Sequence, residues 1–543
     1  MHSASHIPNQ INHYSRYCRA SLIYPDPLAD ENGFLSWCMA LLAQNQYKLI
    51  IPVTERTVAP LARLQDKHGV GHLTLPGSQA LEIVLDKART LALAETLAIP
   101  TPRSVVISDM LALEEMRTEY PFPVVLKPTH SIGKHAGIRK QLRVEYAFNA
   151  NELTRKIEHF LRYGPVLLQS YFRGQGVGIE LIARHGEILF AFQHLRLHEV
   201  PLTGGGSSLR KSVAIEPELL EASRKLVSAL KWHGVAMVEF KWNPMDRSYC
   251  LMEINGRFWG SLPLAIAAGA DFPAMLHELY STGGIKPRPP ARVGVYCRML
   301  SRDLYWHEMV LRRDGRPELV HFPGLGQMLR EALLVFSPRH HFDVQQWRDP
   351  VPGLVDLGRI VLGYRARLAR LLSDRWLRWR QRRAWLGGEV AGRLAQARQI
   401  LFVCHGNINR SALADRCFAG LVPEGGVRAY SAGFHEEAGR PADPIMVEVA
   451  GSARIDLVDW RSRHLDMALL DESDIVFVME TKHLERIREE YPDAVHKTFL
   501  LNAGPMIGGS LEIADPYGKD RPVYEQVCRQ VTGCVAQVAR LLG

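Results

Sequence analysis

Short apolar runs alternate with segments of helical spacing along residues 399–543. The apolar runs are ILFVC, RAYSAG, DIVFVM and KTFLL. Helix-forming stretches such as SALADRCFAGL and KHLERIREE follow some of them. Strands and helices that alternate at these lengths are typical of a doubly wound parallel sheet. We therefore predict this fold for residues 399–543.

The rest of the chain shows three further patterns. Residues 1–85 mix short apolar strands with helical segments, and residues 86–285 alternate strands and helices with glycine-rich turns between them. Residues 286–398 begin with a proline-rich stretch, KPRPPA, and end in an arginine-rich stretch. These patterns predict an α/β multidomain protein in which α+β subdomains precede a basic helical linker and the parallel-sheet domain.

Large apolar residues recur every three or four positions through residues 358–385, with arginines between them. They are Val361, Tyr364, Leu368, Leu371, Leu372, Trp376 and Trp379. This spacing predicts a basic amphipathic helix. Such a helix is compatible with contact to an anionic membrane surface or with packing between the flanking domains. Nucleic acid is not expected as a partner, because no recognition fold is visible.

The net charge of +9 originates in the same stretch. Residues 358–398 contain eleven arginines against Asp374 and Glu389, an excess equal to that of the whole chain. The basic character of the protein is therefore local and does not indicate a generally basic surface.

The length and the cysteine pattern limit the class of protein. A chain of 543 residues is too long for one hydrophobic core. Its eight cysteines show neither CxxC pairs nor zinc spacing, which argues against a disulfide framework and favours a reducing compartment. No apolar run is long enough to span a bilayer, and the first 21 residues lack the apolar core of a secretory signal. We expect a cytoplasmic protein, peripheral to the inner face of a membrane if the basic helix binds lipid.

The string CHGNINRS carries the clearest candidate chemistry. Cys404 ends an apolar strand and helix-forming residues begin at Ser411, so the residues between them turn from a strand into a helix N-terminus. Free backbone N–H groups and the helix dipole attract anions at such a turn, and they favour the nucleophilic thiolate form of a cysteine. Arg410 offers a planar fork for two phosphate oxygens. Ser411 can donate a hydrogen bond to the thiolate, and Asn407 suits the turn.

A nucleophile of this kind needs a proton donor for the leaving group. Asp515, in the loop IADPYGKD, is the candidate. Its carboxylic acid would protonate the departing oxygen and its carboxylate would then activate water against the thiophosphate.

Residues 399–543 resemble the low-molecular-weight protein tyrosine phosphatases over their whole length. The matching stretches are CHGNINRS, YSAG (430–433), PADP (441–444), DIVFVM (474–479) and DPYG (515–518). The resemblance implies action on a phosphorylated protein or a small phosphomonoester, without a metal or other cofactor. It also implies that Cys404 is the nucleophile and that Asp515 is the general acid. The phosphate would be bound by Gly406, Asn407, Arg410 and Ser411.

Two departures from the family pattern bear on the activity. The family often has a second cysteine where this chain has Asn409, so the usual disulfide partner that protects the nucleophile from over-oxidation is missing. The segment FHEEAGR lacks the Trp or Tyr that often walls the phosphotyrosine pocket. Arsenate reductases share the fold and the loop, but they need resolving cysteines, and none lies between Cys417 and Cys528. Arsenate reduction is therefore the less favoured alternative.

Two strand-like runs flank the polar turn NPMDRS in residues 235–261. If the hairpin centres on Asp246, Glu239 lies directly opposite Glu253, and strand alternation brings Asn255 to the same face. Two carboxylates and an amide oxygen suit Mg²⁺ that carries nucleotide phosphates. Arg257 follows on the same face, where it can contact a phosphate.

A second set of candidate nucleotide contacts lies upstream. Lys127 ends a strand before a Gly- and Ser-containing loop, which is a way to hold phosphates although the Walker A pattern is absent. Gln169 follows an apolar strand as a candidate adenine hinge, and Glu180 follows in the next run.

Together these elements resemble the ATP-grasp superfamily across residues 1–285, with residues 1–85 as its preceding subdomain and residues 86–285 as the ATP-grasp domain. The resemblance implies that Lys87 and Lys127 contact phosphates and that Gln169 and Glu180 lie on the adenosine side. It assigns Mg²⁺ to Glu239, Glu253 and Asn255, and it implies that ATP activates a carboxylate for attack by a second substrate.

These resemblances predict an enzyme with two activities. A phosphatase domain at residues 399–543 would follow an ATP-dependent ligase-like half, with residues 286–398 as the linker region. The alternative is that the N-terminal half binds ATP without turnover and acts as a sensor that regulates the phosphatase.

Overall fold

The computed structural model describes residues 1–44, 47–68, 73–116, 120–135, 138–423 and 426–542. The chain forms two compact units, Met1–Ile360 and Val361–Gly543. None of the helices in the described ranges combines the length and the apolar character needed to cross a bilayer.

The first unit is built mainly on antiparallel sheets. Its strands are β1 (His2–Ser5), β2 (Ala20–Ile23), β3 (Ser104–Ile107), β4 (Val124–Pro128), β5 (Ile132–His135), β6 (Ile138–Gln141), β7 (Glu145–Ala147), β8 (Val166–Ser170), β9 (Gln175–Arg184), β10 (Glu187–Val200), β11 (Gly206–Val213), β12 (Gly234–Trp242), β13 (Tyr249–Asn255), β14 (Tyr296–Arg298) and β15 (His340–Phe342). The pairing is parallel between β1 and β2 and between β14 and β15.

The helices of this unit surround the sheets. They are α1 (Glu31–Ala43), α2 (Glu55–His68), α3 (Ser78–Leu85), α4 (Lys87–Thr96), α5 (Met110–Met116), α6 (Ala150–Leu161), α7 (Pro217–Ala229), α8 (Leu262–Ala268), α9 (Phe272–Thr282), α10 (Leu300–Arg312) and α11 (Leu325–Leu333), with 3₁₀ turns at Ile11–Tyr14 and Leu334–Phe336.

A seven-stranded sheet in the order β13-β12-β9-β10-β11-β14-β15 forms the centre of the first unit. Alternation along β9 sends Ile179 and Leu181 into a core shared with α2, α3, α4 and α7, and Ile182 into a second core shared with α8 and α9. A smaller sheet, β3-β8-β4-β7, has its own core with α5 and α6. Strands β14 and β15 lie in the predicted linker region, so that part of the chain belongs to the sheet of the first unit.

The hairpin of β12 and β13 has the register that its sequence predicts. Glu239 pairs with Glu253 and Met237 pairs with Asn255, and the register shifts by one residue between Glu239 and Phe240. The turn closes with a hydrogen bond of 2.8 Å from the Asn243 backbone N–H to the Ser248 carbonyl. Both carboxylates therefore lie on the same face of the sheet.

Helix α12 (Pro350–Leu386) begins in the first unit and ends in the second. Its sequence is rich in Arg, Leu and Ala, which have high helix propensity. It ends before Gly387 and Gly388, and the φ of +81° at Gly388 is a conformation that favours glycine after a helix. All residues from Val361 to Ser373 are exposed.

The second unit contains a parallel sheet between helices, as the alternating pattern predicts. Its elements are β16 (Gln399–Cys404), β17 (Arg428–Gly433), β18 (Ile475–Val478), β19 (Thr498–Leu500), α13 (Glu389–Leu394), α14 (Arg410–Ala419), α15 (Pro444–Ser452), α16 (Met467–Glu472), α17 (Thr481–Glu490) and α18 (Arg521–Arg540), with 3₁₀ turns at Pro492–Lys497 and Ile507–Gly509.

The strand order β17-β16-β18-β19, with every pair parallel, confirms the doubly wound sheet. The chain reverses direction across the sheet at β16, and the carboxyl ends of strands at such a reversal form a binding crevice. Cys404 is the last residue of β16. The fold therefore brings the candidate nucleophile to the edge where ligands bind in this architecture.

Candidate functional site

The Cys404 thiol lies at the start of a loop that wraps around its sulfur. The Asn407 backbone N–H donates to the Cys404 Sγ at 3.3 Å, and the Ser411 Oγ lies 2.9 Å from the same sulfur. Arg410 is the first residue of α14, so the loop ends at a helix N-terminus. The sulfur thus accepts a hydrogen bond from a backbone N–H and lies within hydrogen-bond distance of a hydroxyl group.

Asn407 holds this loop in shape. Its backbone adopts a φ of +50°, a left-handed conformation that asparagine tolerates better than most residues. The Asn407 Nδ2 donates to Ser411 Oγ at 2.9 Å and to Ser431 Oγ at 3.0 Å. The Asn407 Oδ1 accepts from the Arg463 backbone N–H at 2.7 Å, and its carbonyl accepts from Trp460 Nε1 at 2.7 Å. This buried side chain therefore fixes the strained turn from several directions.

The Arg410 guanidinium is almost completely buried beside the loop. Its Nη1 donates to Glu480 Oε2 at 2.5 Å and to the Ile513 carbonyl at 2.9 Å. Its Nη2 lies 2.8 Å from Asp515 Oδ2. The candidate phosphate binder and the candidate acid are therefore in direct contact.

A cavity of about 300 Å³ opens above the loop. Its lining includes the candidate nucleophile, the candidate phosphate-binding arginine and the candidate acid. The lining residues are Cys404, His405, Gly406, Ile408, Asn409, Arg410, His435, Arg440, Asp515 and Tyr517. His435 comes from the segment FHEEAGR, and Tyr517 from the loop that carries the acid. An imidazole and a phenol thus wall the cavity where the family often has an aromatic residue from the first segment.

Two groups next to the site have displaced pKa values. Burial, reinforced by the charge of Arg410, lowers the pKa of His483 to about 3, so this histidine is neutral at pH 7. Burial works against ionisation of Glu480, but its hydrogen bond and ion pair with Arg410 hold the pKa of Glu480 below its ordinary value. Glu480 therefore remains a carboxylate that balances the buried guanidinium.

Glu480 is a residue that the sequence interpretation missed. It lies two residues after the end of the strand β18, which is next to β16 in the sheet. Because the carboxyl ends of neighbouring parallel strands meet at the same edge, this position was the available signal.

Asn409 occupies the position where the family often has a second cysteine. Its side chain is buried, and neither its Oδ1 nor its Nδ2 has a hydrogen-bond partner among the described residues. All eight cysteines are free thiols.

The candidate metal ligands of the first unit lie together with a partner that the sequence interpretation did not include. Arg196 on β10 donates a hydrogen bond to each carboxylate oxygen of Glu239, from Nη1 to Oε1 at 2.7 Å and from Nη2 to Oε2 at 2.5 Å. A Cβ at Gly176 would approach the Arg196 Cδ to 2.9 Å, so this glycine makes room for the arginine. Glu253 Oε1 accepts from Asn255 Nδ2 at 3.1 Å. No sequence signal linked Arg196 to this hairpin.

The two predicted lysines face these carboxylates. Lys87 Nζ lies 4.0 Å from Glu253 Oε2 and donates to Ser131 Oγ at 3.0 Å. Burial opposes ionisation of Glu253, yet Lys87 and Lys127 hold its pKa below the ordinary value. Burial also lowers the pKa of Lys127. The predicted phosphate contacts and one predicted metal ligand therefore form one charged cluster.

Oxygen donors of this kind fit Mg²⁺ by chemistry, since two carboxylates and an amide are the ligands that it accepts. No group of three His, Cys, Asp or Glu side chains arranged for a metal occurs in the described part of the chain. Because Arg196 holds both oxygens of Glu239, metal binding through Glu239 requires this arginine to release the carboxylate.

Arg257 lines a cavity next to the charged cluster. The other lining residues of this cavity include Lys87, Ser131, Glu253 and Asn255. The Arg257 Nη2 donates to Glu55 Oε1 at 2.9 Å. The guanidinium therefore has an acidic partner from α2 that the hairpin pattern did not indicate.

The structure gives the two predicted adenosine-side residues internal partners. Glu180 is completely buried, and its Oε1 accepts from Ser261 Oγ at 2.5 Å and lies 2.9 Å from His194 Nδ1. Gln169 is also buried, and its Nε2 donates to Ser104 Oγ at 2.8 Å. The Glu180 Oε2 has no hydrogen-bond partner among the described residues, and the assignment of both residues to the adenosine side stays a prediction.

The geometry of the second unit is that of a cysteine-dependent phosphatase, and sequence comparison agrees. Residues 399–542 match the family model described as low molecular weight phosphotyrosine protein phosphatase. The low molecular weight protein-tyrosine-phosphatase Wzb of Escherichia coli K12 is 32% identical over 143 residues, which cover 26% of this chain and 94% of that protein. Through these residues the chain belongs to the low molecular weight phosphotyrosine protein phosphatase family.

The first unit contains an ATP-grasp domain. Residues 162–301 match the family model described as ATP-grasp in the biosynthetic pathway with Ter operon. The chain is therefore an enzyme in which an ATP-grasp domain precedes a phosphatase domain.

Solved structures similar to each part are also known. The structure of Vibrio vulnificus Wzb in complex with benzylphosphonate is 31% identical, covers 26% of this chain and 98% of its own, and has a TM-score of 0.25. The biotin carboxylase domain of the Hydrogenobacter thermophilus 2-oxoglutarate carboxylase is 16% identical, covers 55% of this chain and 68% of its own, and has a TM-score of 0.43.

Proposed function

We propose that residues 399–542 hydrolyse phosphomonoesters through a phosphoenzyme on Cys404. The observation that carries this proposal is that the Cys404 sulfur, the Arg410 fork and the Asp515 carboxyl line one cavity. The Cys404 thiolate attacks phosphorus, the ester P–O bond breaks, and Asp515 gives its proton to the leaving oxygen. Water then attacks the phosphoenzyme, Asp515 takes a proton from it, and the P–S bond breaks to release phosphate and thiolate.

Phosphotyrosine in a protein is the substrate that we propose. The name of the E. coli relative, a protein-tyrosine-phosphatase, supports it. The side chains of His435 and Tyr517 at the cavity wall offer surfaces on which an aromatic ring can pack. The free thiols fit a cytoplasmic, reducing location.

Two aryl phosphates that differ in their leaving groups test this mechanism. We expect Cys404→Ser to abolish hydrolysis of both p-nitrophenyl phosphate and phenyl phosphate. We expect Asp515→Asn to reduce kcat on phenyl phosphate by about 100-fold, and on p-nitrophenyl phosphate by less, because nitrophenolate leaves without a proton. Cys18→Ser, in the first unit, is the matched control. Hydrolysis by Cys404→Ser, or equal losses with both substrates in Asp515→Asn, would refute the assignment.

For the first unit, we infer that Mg²⁺-ATP binds at the charged cluster and that a carboxylate is activated for ligation. Glu239, Glu253 and Asn255 would hold Mg²⁺, which would neutralise phosphate charge. The cluster contacts that support this inference are those of Lys87 and Lys127 with Glu253, described above.

The alternative function of this unit is an ATP sensor that regulates the phosphatase. ADP release that depends on an added carboxylate, and that Glu253→Gln abolishes, would support ligation. ATP binding without ADP release, together with a changed phosphatase rate, would support the sensor. Glu187→Gln, an exposed carboxylate on β10, is the control for both. A screen of ADP release against amino acids, sugar acids and peptides would identify the substrate class.

A further inference from the structure

A line of large apolar side chains runs along the exposed part of α12. We name it the α12 stripe and define it as Val361, Leu368, Leu372 and Trp379. Their spacings of seven, four and seven residues bring them to one side of the helix. Each is more than half exposed, with values between 55% and 58%. Four such side chains on one helix face form an apolar surface, and its exposure to water is unfavourable in free energy.

The opposite side of the helix is the one that packs on the phosphatase. Trp385 Nε1 donates to the Leu500 carbonyl at 2.9 Å, and Gln381 Oε1 accepts from the Leu500 backbone N–H at 2.8 Å. Gln381 is two residues beyond Trp379, which corresponds to about 200° around an α-helix. The α12 stripe therefore points away from the domain on which the end of the helix is docked.

Charge surrounds the stripe. Residues 361–386 contain eight arginines and one acidic residue, Asp374. Asp374 lies beside Glu485 of the phosphatase, where burial and then the Asp374 charge raise the pKa of Glu485. The single carboxylate is thus on the docked side. Arg383 stacks over the Trp379 ring with its Cζ 5.2 Å from the centroid, at the border of the stripe.

We propose that the α12 stripe and its flanking arginines bind an anionic membrane surface. The apolar side chains enter the interfacial region, Trp379 lies at the level of the headgroups, and the arginines contact lipid phosphates. A second copy of this chain would bring two strongly basic helices together, which charge repulsion opposes. Nucleic acid would neutralise the arginines but leave the stripe uncovered.

Vesicle flotation of the full chain tests the proposal. We expect the wild-type protein to bind vesicles of phosphatidylcholine with 30% phosphatidylglycerol at least tenfold more tightly than vesicles of phosphatidylcholine alone. The variant Leu368→Gln/Leu372→Gln/Trp379→Gln should bind the anionic vesicles at least tenfold more weakly. The control is Trp347→Gln, which removes a completely exposed tryptophan elsewhere and should bind within twofold of wild type.

A second variant tests the contribution of the arginines, and further measurements test folding and other partners. The variant Arg365→Gln/Arg375→Gln changes arginines that are four residues from Val361 and Trp379 and so border the stripe. It should reduce binding to the anionic vesicles about tenfold and leave binding to neutral vesicles unchanged. Hydrolysis of p-nitrophenyl phosphate reports whether each variant is folded. The proposal is overturned if the wild-type protein does not bind anionic vesicles, or if the stripe variant binds them as tightly as the wild-type protein does. Stripe-dependent dimerisation without vesicle binding, or duplex DNA that displaces the vesicles in wild type and stripe variant alike, would also overturn it.

Discussion

The Arg410 guanidinium is held by an acid that does not take part in the proposed chemistry. Glu480 accepts from its Nη1, while its Nη2 contacts Asp515. A planar group fixed before the substrate arrives stabilises a phosphoryl transition state without reorganisation. Glu480 is therefore a positioning residue in the proposed mechanism.

We expect Glu480→Gln to lower kcat/KM for p-nitrophenyl phosphate by about 10- to 100-fold, because an amide holds the guanidinium less firmly than a carboxylate does. The measurement is steady-state kinetics together with the inhibition constant for inorganic phosphate, which should rise. Glu490→Gln, an exposed carboxylate at the end of α17 that pairs with Arg486, is the matched control and should behave as wild type. Unchanged kinetics in Glu480→Gln would contradict the positioning role.

His483 makes the stability of the second unit depend on pH. Its pKa in the folded protein is about 3, against an ordinary value of about 6.5, so the unfolded chain binds a proton that the folded chain refuses. The stabilisation is fully present above pH 6.5 and is lost as the pH falls towards 3. Between pH 6.5 and pH 5 the expected loss in the free energy of unfolding is about 2 kcal/mol.

The test compares wild type with His483→Gln in urea at pH 7 and at pH 5. Burial raises the pKa of Asp415 to about 6 and opposes the effect of His483, so the variant is needed to isolate it. We expect wild type to lose more stability than the variant over this range, by about 2 kcal/mol. Equal losses in the two proteins would show that His483 does not titrate as described.

At the scale of elements, the end of α12 covers an open edge of the second sheet. β19 is the last strand of that sheet, and the side chains of Gln381 and Trp385 hydrogen-bond its backbone. Trp385 packs so closely on Gly504 that a Cβ there would lie 2.4 Å from its Cε3. The helix end therefore completes the phosphatase core and protects an edge strand from pairing with other chains.

Removing the Trp385 indole should destabilise the second unit by about 3 kcal/mol, because Trp→Ala leaves a large cavity and removes one of the two hydrogen bonds to the Leu500 carbonyl. Thermal inactivation of the phosphatase measures this loss. Trp376→Ala, on the same helix but half exposed, should cost less than about 1 kcal/mol. If both variants inactivate at the same temperature, the helix end is not part of the phosphatase core.

Local patterns predicted the elements that local sequence controls. The parallel sheet, the loop from Cys404 to Arg410 and the register of Glu239 with Glu253 follow from alternation and turn position. The partners of charged groups were not predictable in this way. Arg196 and Glu480 come from distant parts of the chain, so only the folded sheet brings them to Glu239 and Arg410. Alternation also cannot show which internal partners a carboxylate has, such as the Ser261 hydroxyl that donates to Glu180.

At the scale of the molecule, the two units are joined by one helix whose middle is exposed on all sides. The residues from Val361 to Ser373 include Arg365, Arg367 and Arg370. A helix without packing partners opens locally at low cost, and trypsin cleaves after arginine. We expect limited trypsin treatment to cut first in this stretch and to leave fragments of about 370 and about 170 residues.

Mass spectrometry of the first fragments checks this prediction, and the smaller fragment should retain hydrolysis of p-nitrophenyl phosphate. The variant Arg365→Gln/Arg367→Gln/Arg370→Gln should slow the first cut severalfold. First cleavage elsewhere in the chain, with residues 361–373 intact, would show that this helix is protected.

The one-residue register shift between Glu239 and Phe240 divides the β12–β13 hairpin into two halves with different tolerances. In the inner half, an inserted residue would turn a carboxylate to the opposite face of the sheet. The outer half leads to an exposed turn in which Met245 is 91% accessible, beyond the shift. A peptide tag or a fluorophore can therefore be attached at this tip, near the charged cluster, without displacing the carboxylates of Glu239 and Glu253.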